Sequence, residues 1–191
     1  MDKQKIQEAL ERSNTWWKKQ FSLEFKTREI YPEIKRFFLK RQIIALVGLR
    51  RTGKTTIMLK VVEDALADIS AENIVYFSFD DFRSAKLLDV VKAYEGFMKK
   101  DSRNGRYLFL FDEIQKVEGW EEQLKRLYDE SPNIKFIISG SESLFIRKKS
   151  RESLAGRMYE FQIKPLSFKE YLEFKGKKFE NIQLYKNEIH H

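Results

Sequence analysis

The chain has 191 residues, no cysteine, a hydrophobic fraction of 42% and a net charge of +8. That length supports one full hydrophobic core, and the lack of thiols excludes disulfides and thiolate metal sites. No apolar run approaches the roughly 20 residues of a membrane-spanning helix and the charged N-terminus lacks a signal-peptide core, so a soluble cytoplasmic protein with no membrane partner is expected.

The charge is uneven. Residues 1–60 carry 15 cations and 6 anions, whereas residues 61–120 carry 8 and 12. A basic front third suits nucleic acid, acidic lipid or a polyphosphate, and equally a lysine-rich solvated surface. Charge alone assigns no function.

In chain order, Ile6, Ala9 and Leu10 stand at helical spacing and predict a short amphipathic helix over 3–12. Trp16 and Trp17 follow and read as anchors pinning an arm to the body. The stretch "TREIYPEIKRFFLKR" predicts a helix capped by Thr27, with Pro32 in its first turns. From there strands and helices alternate. Strands are expected over 43–47, 73–79, 106–111, 134–139 and 159–163, and helices over 55–68, 85–100, 120–130, 142–149 and 167–174. Such alternation implies βαβ units around a parallel sheet, and the near-continuous apolarity of "IIALV" and "YLFLF" fits strands buried on both faces.

One connection does not follow from burial. Gly48-Leu49-Arg50-Arg51-Thr52-Gly53-Lys54-Thr55 matches G-x-x-x-x-G-K-[ST], lying between a predicted strand and a predicted helix. Glycines let successive amides turn inward around an anion, and the helix directs its positive end at the same point. Lys54 would meet the β- and γ-phosphates of a bound nucleotide, the Thr55 hydroxyl would ligate Mg²⁺, and Thr56 would lie near the α-phosphate. Arg50 and Arg51 lie within the loop and face phosphate, partner or solvent.

A magnesium site needs a carboxylate. "YLFLFDEIQ" places Asp112 at the carboxyl end of a strand, where α/β folds bind ligands, so Asp112 is assigned to the metal. Glu113 is assigned to orient or deprotonate the attacking water. Ser139, with Ser141 second, is the candidate sensor of the γ-phosphate or the water. Arg157 is a candidate arginine finger, in cis or from a neighbouring subunit. Arg28 either touches the base or pairs with a carboxylate. Asp80 and Asp81 read as a turn leading into a helix, with a contribution to the metal region as the other reading. His190 and His191 read as the start of an affinity tag.

The segments "NTWWKKQ", "GLRRTGKTT", "FDEIQKVEGWEEQLKRLYD", "IISGSESLF", "SLAGR" and "PLSFKEYLEF", in that order, resemble the prokaryotic AAA-type ATPases common in archaea and related to the signal-transduction (STAND) branch. The resemblance implies a P-loop NTPase three-layer sandwich with a five-stranded, mainly parallel sheet in the order 5-1-4-3-2. Ser139 would then sit between Gly48 and Asp112. It also implies ATP and Mg²⁺ as cofactors, ADP as product, a conformational-switch role, a further C-terminal effector domain, and oligomers. The expected division is a helical arm at 1–40, an ATPase core at 41–175, and a tail at 176–191 belonging to a truncated domain or a tag. A nucleotide-dependent DNA-binding module is the alternative, a protein partner being equally open. A P-loop small-molecule kinase, with residues 145–151 as its lid, ranks lower because an Asp-Glu pair suits water as acceptor.

Overall fold

The computed structural model describes residues 3–102, 104–141 and 153–177. Five strands, β1 (Ile43–Val47), β2 (Ile74–Ser78), β3 (Tyr107–Asp112), β4 (Ile134–Gly140) and β5 (Met158–Gln162), form one sheet in the order β2-β3-β4-β1-β5. Every neighbouring pair is parallel. The helices are α1 (Lys3–Ser13), α2 (Tyr31–Phe38), α3 (Lys54–Ala65), α4 (Leu87–Met98), α5 (Trp120–Glu130) and α6 (Phe168–Phe174). The five-stranded order implied by the resemblance is the one found. The helix expected over 142–149, the lid candidate, and His190 and His191 lie outside the described residues.

Strand periodicity splits the core in two. Ile43, Ala45, Val75, Phe77, Phe109, Phe111 and Phe136 face α1, α4 and α5, whereas Ile44, Leu46, Ile74, Leu108, Leu110 and Ile137 face α2 and α3. Side chains on both faces are buried, which is why these strands read as unbroken apolar runs. Among the described residues no helix is long and apolar enough to cross a membrane.

The segment before β1 is fixed by side chains. The indole N–H groups of Trp16 and Trp17 both donate to the Ile74 carbonyl, at 3.0 and 2.9 Å. Asn14, fully buried, donates to the Tyr76 carbonyl at 2.9 Å and accepts from the Tyr76 N–H at 2.7 Å. Both tryptophans are thus the anchors expected.

The helix predicted from Thr27 starts later, at Tyr31, with Ile30 at its N-cap and no side-chain cap. The reason is a competing structure. Arg28 accepts only a single turn bond, from the Tyr31 N–H at 2.9 Å, while its side chain enters a buried cluster: it donates to Glu170 Oε1, to the Thr52 carbonyl and to the Lys164 carbonyl, each at 2.8 Å. Glu170 also accepts from the Glu29 and Ser167 N–H groups. One guanidinium thereby joins the arm, the loop after β1, the exit of β5 and α6. Of the two readings for Arg28, carboxylate pairing is what the structure contains.

Burial pushes the Glu170 carboxyl up, but Arg28 and the two backbone N–H groups outweigh it and leave the pKa below the ordinary glutamate value. A carboxyl lowered by folding stabilises the fold above its unfolded pKa, and the contribution fades as pH falls through the folded value. Removing one partner of a buried pair strands the other, at about 3–5 kcal/mol. Glu170→Gln is therefore expected to destabilise the protein by several kcal/mol at neutral pH, roughly within that range. It should also flatten the loss of stability on acidification below about pH 4. Urea denaturation at neutral and acid pH measures both; equal stability of variant and parent at neutral pH would refute it.

Candidate functional site

The loop from Gly48 to Gly53 leaves β1 at the carboxyl edge of the sheet and enters α3. Gly48 is dictated by packing as much as by any ligand. A Cβ there would lie 2.3 Å from the Ile163 carbonyl oxygen, a backbone atom held by the 2.6 Å bond from Ile163 N–H to the Val47 carbonyl. Gly53 has φ of +91°, the left-handed region, and caps α3. Arg51 also sits at positive φ, +65°. Gly48→Ala is expected to force β1 and β5 apart, costing about 1–3 kcal/mol, the range for overpacking. A thermal melt reads this directly, and an unchanged midpoint would show that the close approach is not constrained.

Within the loop, Thr52 Oγ1 donates to the Leu49 carbonyl at 2.9 Å. Lys54 is 5% exposed, and its ammonium curls back to the carbonyls of Gly48 (3.1 Å) and Leu49 (2.8 Å). Thr55 Oγ1 donates to Asp112 Oδ2 at 2.7 Å. Asp112 is 3% exposed. Its Oδ1 accepts from the Ser139 hydroxyl and from the Glu113 N–H. Ser139 does lie between the Gly48 loop and Asp112, as β4 lies between β1 and β3. Its hydroxyl is engaged with the carboxylate, so here it orients Asp112 and does not face the cavity.

Glu113 breaks the backbone at the end of β3 with φ of +54°, unusual for a side-chain-bearing residue. Its Oε2 accepts from Gln115 Nε2 at 2.5 Å, and the other amide atom, Gln115 Oε1, is buried without a partner. Glu113, Lys54, Thr55, Arg50 and Arg51 line one cavity of about 690 Å³. Asp80 lines it too, paired with Lys116; it follows β2 in a turn, as read. A second cavity, of about 630 Å³, shares Arg51, Gly53 and Thr56 with the first. It is walled by Phe25, Ile57, Pro165, Leu166 and Phe174.

Arg157 is not brought to this edge. It precedes β5, so it lies at the amino edge of the sheet, about 16 Å away along a five-residue strand. There it makes a two-pronged ion pair with Asp129, at 3.0 and 3.2 Å, and its carbonyl accepts from Ile43 N–H. The cis arrangement is therefore corrected: parallel strands place a residue that precedes one strand opposite a loop that follows another.

The AAA domain model matches residues 40–172. The chain belongs to the AAA domain family. An uncharacterized protein of Methanocaldococcus jannaschii is 36% identical to this AAA domain over 135 residues, 70% of this chain and 28% of that protein. An uncharacterized protein of Haemophilus influenzae is 35% identical over 137 residues, 70% of this chain and 34% of that one. The chain thus spans about a third or less of the length of the curated relatives it matches. Among solved structures, the Saccharomyces cerevisiae Hsp104-ADP complex matches with a TM-score of 0.56 at 15% identity, over 87% of this chain and 26% of that one. That likeness concerns the fold. The family makes this AAA domain a nucleotide-binding, ATPase-type module.

Several residues of the site escape a sequence reading. Tyr76 donates to Asp112 Oδ2 at 2.8 Å, and nothing in "NIVYFSF" separates it from an ordinary strand aromatic. Gln115 lay inside the quoted "DEIQ" without a role. Glu170 is signalled in the sequence only by its capping-box spacing from Ser167.

Proposed function

We propose that this AAA domain binds ATP with Mg²⁺ and hydrolyses it slowly, using the nucleotide state as a conformational switch. The observation that carries the reading is the 2.7 Å bond from Thr55 to Asp112, which joins the phosphate loop to the acid strand. The residues fit a small hard cation, since a hydroxyl and a carboxylate are oxygen donors. Gly53, at a φ of +91° at the N-terminus of α3, allows the loop to turn its amides inward as an anion cradle needs. Thr55 and Asp112 would hold Mg²⁺, which when bound neutralises charge on the β- and γ-phosphates.

The chain's own groups supply the rest. Lys54 exchanges its two loop carbonyls for phosphate oxygens, so the ammonium is already delivered and largely desolvated. Glu113 accepts the proton of the attacking water at its carboxylate once Gln115 Nε2 releases Oε2. Ser139 acts by orienting Asp112. The apolar second cavity takes the nucleobase and Thr56 lies between base and phosphates. Arg157 is a candidate finger only toward a neighbouring copy, since Asp129 holds it at the opposite edge. Coupling would run to segments of a longer protein or to a protein or DNA partner.

The test is calorimetric titration of ATP, ADP and GTP, each with and without Mg²⁺, followed by phosphate release. Binding of ATP and ADP that tightens with Mg²⁺, with slow turnover, is expected. No binding of either adenine nucleotide in any condition would end this reading.

A further inference from the structure

Asp112 is almost completely buried, yet among the described residues it forms no ion pair. It is satisfied by neutral donors alone: Thr55 and Tyr76 on Oδ2, Ser139 and the Glu113 N–H on Oδ1. All four donors are neutral, so they fix the carboxylate without placing a protein cation beside it. That combination fixes the group's plane and reserves its charge for a cation. A lysine or arginine in place of Tyr76 would orient the carboxylate as well but would compete with the metal.

Tyr76 differs from the other donors in origin. Thr55 and Ser139 come from the loop helix and the neighbouring strand β4, whereas Tyr76 stands in mid-β2, opposite Leu110, and reaches along the sheet to the end of β3. Its reach is useful only if β2 keeps its position. The Tyr76 main chain is held on the side away from β3 by the buried Asn14 amide, which takes both its N–H and its carbonyl and is itself tied to the Leu10 carbonyl at 2.7 Å.

We infer that Tyr76 is a positioning residue for the metal carboxylate, and that the N-terminal arm fixes it through Asn14. This rests on Asp112 being the metal acid. The arm is thereby a working part of the nucleotide site, although none of its residues up to Trp17 lines the phosphate cavity.

Tyr76→Phe removes the one hydroxyl and keeps the ring. Its Mg²⁺ half-saturation for ATP binding should rise about tenfold, while ATP affinity in EDTA stays within about twofold of the parent. Asn14→Ala should shift the same quantity in the same direction, and the double variant should be no worse than Tyr76→Phe alone, since residues acting in series are not additive. Thermal melts accompany each, and if Asn14→Ala does not fold, Asn14→Asp, which keeps the acceptor and loses the donor, takes its place. An unchanged magnesium dependence in Tyr76→Phe overturns the assignment. Additive shifts in the double variant overturn the part played by the arm. If the parent shows no magnesium-dependent ATP binding at all, the reading of Asp112 fails first, which the parent titration alone reveals.

Discussion

Lys54→Ala is expected to weaken ATP binding by about 10²–10⁴-fold, the loss of two charge-assisted hydrogen bonds worth about 1.5–3 kcal/mol each. The ammonium is buried and already bonded to the carbonyls of Gly48 and Leu49, so little further ordering is needed when phosphate arrives. The folded loop should survive the change. Its closing bond from Thr52 to Leu49 and the Arg28 bond to the Thr52 carbonyl do not involve Lys54. Calorimetry beside a thermal melt separates the two effects: affinity should collapse while the midpoint moves little. Retention of affinity within a few-fold would mean that the Gly48–Thr55 loop is not the phosphate cradle.

Glu113→Gln should do the reverse, keeping ATP bound while hydrolysis falls by about 10²–10⁴-fold, the usual contribution of a positioned general base. The substitution leaves shape and hydrogen-bonding reach intact and removes only the basic oxygen. Glu113 is held by the Gln115 amide with an unusual backbone angle, and the Gln115 Oε1 is buried without a partner. A buried unpaired carbonyl costs about 1–3 kcal/mol, so this arrangement of the two side chains favours rearrangement when a ligand offers a better partner. The measurement is single-turnover phosphate release with nucleotide trapped on the protein. Parental turnover in Glu113→Gln would remove Glu113 from the chemistry.

The legible parts of the site were those in which the chemistry demands neighbours in sequence. A phosphate cradle needs two glycines, a lysine and a hydroxyl at fixed spacing, and a strand-end acid needs an apolar run before it. Both can be read from a single chain. The sheet order followed from resemblance to a family, because parallel strands of similar apolarity do not announce their neighbours. Long-range partners were hidden for a physical reason. Asn14 meets Tyr76 across 62 residues and Arg28 meets Glu170 across 142, and neither pair leaves a local pattern. The Thr27 helix start failed on the same account, since the pull of the buried Arg28 cluster outweighed a cap worth about 1 kcal/mol. Arg157 is different. Its place before β5 already implied the far edge once the sheet was taken as parallel.

The docking of Asn14, Trp16 and Trp17 onto β2 has a consequence for association. β2 is one of the two edge strands, and the Ile74 carbonyl and the Tyr76 N–H and carbonyl that would otherwise recruit a foreign strand are occupied by an amide and two indoles. Side chains cannot be extended into a ladder as a backbone can, so the sheet ends there. Copies of this domain that assemble do not extend the sheet through this edge, and removal of the first seventeen residues is expected to expose it as a template for strand addition.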